Sequence, residues 1–139
     1  MTVARALTDE NRVRILMALH NHEMCVCQVT GFLDLAPSTT SKHLSILKQA
    51  RLIESRKKGR WVYYRLAETE TALPVVRGAL LWLANAVGDS PIIREDARRI
   101  VDILERERRL CEGMDADACH SLEIHSFSEG ELPADAAQE

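Results

Sequence analysis

Aromatic side chains are scarce in this 139-residue chain: two Trp, two Tyr and two Phe, 4% of the residues. Leu, Ala, Arg and Glu dominate instead, which points to a helix-rich soluble protein. No apolar run approaches the roughly 20 residues that a membrane span requires, so a spanning segment is not expected. The opening MTVARALTDENR has no apolar signal core followed by a small-residue cleavage site, and the expected location is the cytoplasm. Internal repeats are missing too. The length suits one domain with its own core and leaves no room for a binding domain plus a separate enzyme domain.

Four cysteines, an even number, would allow disulfides in a secreted chain. In a reducing compartment they read as thiols available for packing, redox chemistry or metal. A small thiol oxidoreductase needs a low-pKa cysteine at a helix N-terminus with a resolving partner, which Cys25 and Cys27 could mimic, but no phosphate-type loop or acid/base cluster accompanies them, and the chain does not read as an enzyme.

The net charge of -3 conceals an asymmetry. Lys42 to Arg65 carries eight Lys or Arg against one acid, Glu54, while Cys111 to Glu139 carries eight acids and no Lys or Arg. A local positive segment says more about a partner than the mean does, because phosphate contact needs only a local basic face.

Periodicity gives a coarse order of elements. A short amphipathic piece near Val3–Leu7 precedes a helix capped by Thr8 or Asp9 and running to about His20. A second helix is expected from about Cys25 to Leu33. Pro37 suits the first position of a third, which ends near Ala50. On it Thr40, Leu44 and Leu47 share one stripe, Ser38, Thr39, Lys42, Ser45 and Gln49 lie roughly opposite, and Ser41 and His43 flank them. Two strands follow, about Leu52–Lys57 and Arg60–Leu66, with Lys58-Gly59 as a two-residue turn. A helix from about Leu73 to Val87 is apolar on more than one face and unlike a monomer's surface. Asp89-Ser90-Pro91 starts a last amphipathic helix to about Leu110, and the acidic remainder is expected to be mobile.

Two helices, a tight turn, a third helix with a polar outer face and a basic hairpin give a mainly α fold with a two-stranded β-wing: a winged helix-turn-helix of helices, wing, helices, expected to be dimeric. It divides as 1–88 for DNA binding and dimerisation, 89–110 as a helix extending that domain, and 111–139 as tail. A helix fits the major groove of double-stranded DNA, and short polar side chains in its first turns reach base edges. Ser38, Thr39, Ser41, Lys42, His43 and Ser45 are the candidates on the helix. Arg56, Lys57, Lys58 and Arg60 on the wing suit phosphate and minor-groove contacts. A Lys-rich hairpin tip standing alone would also read as a solvated edge.

The stretches ALTDENRVRILMAL, EMCVCQV and APSTTSKHLSILKQARLIESRKKGRWVYYRL, with the apolar helix after them, resemble the ArsR/SmtB family of metalloregulatory repressors. The resemblance covers about Ala4 to Ala86, and SKHLSILKQARLIESRKKGRWVYYRL is its most specific part. It implies a homodimer built from the first and post-wing helices, bound to a palindromic operator and released by an effector. EMCVCQV is similar to the ELCVCDL signature of the arsenic- and cadmium/lead-responsive branch, which implies effector ligands at Cys25 and Cys27. Gln28 stands where the signature has Asp. Thr30 stands where some arsenic repressors have a third cysteine. The zinc site of other members, built from Asp and His on the post-wing helix, is missing because that helix has neither.

Thiolates are soft ligands suited to trivalent arsenic or antimony, or alternatively cadmium or lead. Trivalent arsenic favours three sulfurs, and Cys111, which continues the apolar stripe of the last helix, is the candidate third ligand; Cys119 is the other cysteine. The alternative for Cys25 and Cys27 is two buried core thiols, and another is a thiol switch that answers oxidants or sulfide. Two residues apart on an ideal helix, Cys25 and Cys27 diverge by about 200°. Either effector binding distorts the helix start, or the pair sits just before the helix.

Overall fold

The computed structural model describes residues 2–110, and Cys111, Cys119 and the acidic tail lie outside the described residues. Its elements in chain order are α1 (Thr2–Ala6), α2 (Glu10–Asn21), β1 (Met24–Cys25), α3 (Val26–Leu33), α4 (Pro37–Gln49), β2 (Ile53–Lys58), β3 (Trp61–Leu66), α5 (Pro74–Val87) and α6 (Pro91–Leu110).

Local chemistry sets most of these boundaries. Asp9 caps α2, its Oδ1 accepting from the N–H of Asn11 at 2.8 Å and of Arg12 at 3.2 Å. Asp34 ends α3 in the left-handed region, with φ 56° and its N–H bonded to the Thr30 carbonyl. Asp tolerates that conformation better than most residues. Pro37 opens α4 at its first turn, where no backbone donor is lost. At the other end the Leu52 N–H reaches the Leu47 carbonyl at 3.1 Å and the Arg51 N–H reaches Lys48 at 3.0 Å. This is a Schellman closure, with Arg51 at φ 62° in the place that glycine usually takes.

The fold class is the expected winged helix-turn-helix, with one addition. The wing hairpin belongs to a three-stranded antiparallel sheet in the order β1-β3-β2. Met24 and Cys25 face Tyr64 and Tyr63 on β3. Two residues carry no readable alternation, so the sequence offers no signal for β1. The β2–β3 register runs from Ile53↔Leu66 to Lys58↔Trp61, so the turn is Gly59-Arg60, one residue later than expected. Gly59 supplies the positive φ, 64°, at the first turn position, as in a type II′ hairpin.

The core joins α2 (Ile15, Leu16), α3 (Val29, Phe32), α4 (Leu44, Leu47), the sheet (Met24, Ile53, Tyr64) and single residues of α5 and α6 (Val76, Leu83, Ile100). On α5 only Val76 and Leu83 are buried, while Leu81 and Trp82 remain 67% and 62% exposed. Helix α6 packs along α2 and α3. It is fixed by a two-pronged pair, Arg14 Nε and Nη2 each 2.8 Å from an Asp96 carboxylate oxygen, and by a bond from Arg99 to the Phe32 carbonyl. Among the described residues no helix is long and apolar enough to cross a membrane.

Candidate thiol site and nucleic-acid interface

Cys25 is at once the last residue of β1 and the N-cap of α3. Its backbone is extended, φ −86° and ψ 169°, so the angular rule for two residues of one helix does not apply to it. A capping box holds this geometry. The Cys25 N–H donates to Gln28 Oε1 at 3.0 Å, while the Cys25 side chain receives the Gln28 backbone N–H. Cys27, the second residue of the helix, brings its thiol near enough to that of Cys25 for each to act on the other's protonation. Both cysteines are free, Cys25 buried and Cys27 half-buried. Of the two geometries open to the pair, the structure has the second: one sulfur sits just before the helix, and the sulfurs converge while α3 keeps its winding.

The Cys25 thiol is pushed well above its ordinary value by the hydrogen bond to Cys27, then by burial, then by the charge a Cys27 thiolate would carry. The backbone N–H groups of Gln28 and Cys27 pull the other way without cancelling the rise. Across the sheet Tyr63 is pushed up to about 12, chiefly by burial, with Cys25, Glu107, Glu23 and Cys27 as its negative neighbours. Two neighbouring soft donors, one of them a buried thiol that resists losing its proton, suit a strongly thiophilic acceptor, whose own charge reverses the local preference. Among the described residues no group of three or more His, Cys, Asp or Glu is arranged to hold a metal ion.

Three neighbours of the pair carry no function in the sequence reading. Gln28 also donates through Nε2 to Glu107 on α6, and both residues are buried. Glu23, just before β1, pairs with Arg56 of the wing at 2.8 Å. Tyr63 stands opposite Cys25. The three-residue spacing from Cys25 to Gln28 is a capping-box signal. Glu107, 79 residues from Gln28, has no local signal at all.

The structure sorts the nucleic-acid candidates by exposure. Ser38, Thr39 and Lys42 are exposed on α4, and Ser45 is half-buried. Ser41 is 3% exposed and faces the protein interior beside Thr40. His43 is half-buried, its Nδ1 3.4 Å from Arg12 Nη1, and burial holds its imidazole below the ordinary value. Lys57, Lys58 and Arg60 are exposed at the wing tip, and Arg56 is exposed but tied to Glu23.

Residues 9–55 match the family of bacterial regulatory proteins described as the arsR family. The cadmium resistance transcriptional regulatory protein CadC of Listeria innocua is 44% identical over 61 residues, 43% of this chain and 51% of that protein. The chain thus spans about half the length of the first curated relatives it matches. The arsenical resistance operon repressor of Escherichia coli is 31% identical over 117 residues, which is 83% of this chain and 91% of the repressor. Among solved structures, the homodimeric winged helix-turn-helix DNA-binding domain of a possible ArsR-family regulator from Mycobacterium bovis superposes with a TM-score of 0.53. It is 30% identical and covers 61% of this chain and 75% of that one.

Proposed function

This chain belongs to the arsR family of bacterial regulatory proteins, a family of transcription regulators and not of enzymes, and from that premise we propose a homodimeric operator-binding repressor released when a thiophilic ion is held by Cys25 and Cys27. The observation that carries the reading is the convergence of the two thiols at the N-cap of α3, the first helix of the helix-turn-helix. Trivalent arsenic or antimony leads, supported by the long match to the arsenical resistance repressor; cadmium or lead is the alternative, supported by the match to CadC.

Cys111 is the proposed third ligand. What supports it is α6, which brings Glu107 to Gln28 beside the thiol pair, and Cys111 is four residues beyond Glu107 in sequence. Residues 1–88 serve as the DNA-binding and dimerisation domain, with 89–110 as its extension.

On DNA, Ser38, Thr39, Lys42 and Ser45 face the major groove, and Lys57, Lys58 and Arg60 meet phosphate, which positions the dimer and makes binding fall with salt. Ser41 and His43 act through the seating of α4. The thiol pair reaches this surface by two routes. Cys25 is paired to the wing strand through Tyr63, and Glu23 is paired to the wing through Arg56. A bound ion fixes both sulfurs as thiolates, and the shift at β1 passes to the wing without any unwinding of α3. A coupling of about 1–3 kcal/mol gives roughly 5- to 150-fold in operator affinity.

The rival switch, oxidation of the pair to a disulfide or polysulfide, is told apart from ion release by mass spectrometry of the oxidised protein. The deciding experiment is a DNA-shift titration of reduced protein with arsenite, antimonite, cadmium, lead and zinc. Cys25→Ser with Cys27→Ser retains operator binding and no longer responds to the ion that releases wild type. Release of the double variant by that same ion refutes the proposed site.

A further inference from the structure

The Gln28 side chain lies between two partners of opposite demand. The Cys25 N–H only donates, so it requires the amide oxygen; the Glu107 carboxylate accepts, so it requires the amide nitrogen. A single amide orientation satisfies both. Gln28 is 5% exposed and Glu107 9% exposed, so water has little room to replace either bond. An amide anchored at one end only would be free to turn, and the extended N-cap backbone of Cys25 would lose its lock. A carboxylate in place of the amide would face Glu107 with like charge and no donor.

We infer that Gln28 and Glu107 are positioning residues for the thiol site: α6 reaches across the fold to fix the Gln28 amide, and that amide holds Cys25 where its sulfur meets the sulfur of Cys27. The inference rests on the thiolate reading above and adds that the site's affinity is set by a helix distant in sequence. Neither residue touches the ion in this role. They act as groups behind a ligand do, fixing its orientation, and loss of such partners commonly lowers metal affinity about 10- to 100-fold.

The test is a titration of the full reduced chain with cadmium ion alone, read by sulfur-to-metal charge-transfer absorbance, with operator affinity of the ion-free protein measured beside it. Glu107→Ala and Gln28→Leu each weaken cadmium binding by at least 10-fold and leave ion-free operator affinity within about 2-fold. Glu107→Gln keeps an oxygen that accepts from Gln28 and binds cadmium like wild type. Gln28→Leu keeps the volume of the side chain and leaves Glu107 in place, so it tests the lock if Glu107→Ala unseats α6. Cadmium affinities of both variants equal to wild type overturn the positioning role, provided the band is lost in Cys25→Ser with Cys27→Ser. A band that survives that double substitution overturns the thiolate reading, and the positioning role with it.

Discussion

At the scale of single residues, His43 shows how a side chain on α4 serves the protein behind it. Its Nδ1 faces the Arg12 guanidinium, and burial lowers its pKa below 6.5; the Asp9 charge opposes this next in size, and the charges of Arg12 and Lys42 then add to the lowering. The folded state therefore binds this proton less readily than the unfolded chain. Stability is insensitive to His43 above the unfolded value and declines as pH falls through about 6.5, where only the unfolded chain gains the proton, until the folded imidazole titrates too. Thermal unfolding of wild type and His43→Gln between pH 8 and 5 checks this. The wild-type midpoint falls further on acidification than that of the variant. Parallel curves would remove His43 as a source of the pH dependence.

At the scale of elements, α6 is held by a pair whose cost of breakage is larger than its net worth. Asp96 is 5% exposed and Arg14 13% exposed, and the pair is made in the two-pronged geometry that suits guanidinium and carboxylate. The Asp96 carboxylate holds the Arg14 guanidinium above its ordinary value. Asp96→Ala leaves the half-buried Arg14 guanidinium with the neutral Asn11 Oδ1 in place of a carboxylate, and a destabilisation of about 1.5–3 kcal/mol is expected in denaturant unfolding. Replacing both partners by apolar residues of similar volume, Arg14→Met with Asp96→Leu, recovers most of that loss. A single Asp96→Ala variant with wild-type stability would show that α6 is not anchored here.

Elements also show what the chain announces and what it withholds. The Asp9 cap, Pro37 at the start of α4 and the Thr40, Leu44, Leu47 stripe are local signals, and each was readable within one or two turns of chain. Strand β1 was not, because two residues have no period. The helix start at Val26 instead of Cys25 is a shift of one position, within the ordinary uncertainty of helix ends. That one position decides whether the two sulfurs oppose or converge. Glu107 became visible only through tertiary packing, since nothing within α6 marks one glutamate among its several acids and bases. The hairpin turn moved by one residue because Gly59 takes the first turn position and not the second.

At the scale of the whole molecule, one face of the fold is unfinished as a monomer. Leu73, Val75, Leu81 and Trp82 on and before α5 are 47%, 59%, 67% and 62% exposed. A run of large apolar side chains in water is the mark of an association surface. The partner that fits the proposed function is a second copy, since a two-fold pair of recognition helices spans successive major grooves about 34 Å apart. A related winged helix-turn-helix domain from Mycobacterium bovis is homodimeric. Each copy of a stable pair buries about 800 Å², and carboxylates placed in that area would be desolvated without partners. Leu81→Glu with Trp82→Glu is therefore expected to sediment as a monomer under conditions where wild type sediments as a dimer. The monomer keeps its helical circular dichroism, because neither side chain is part of the core. It keeps only one recognition helix and one wing per molecule, so operator affinity drops at least 100-fold, roughly the loss of one half-site's worth of contacts. A double variant that remains dimeric, with operator affinity intact, would move the pairing surface away from α5.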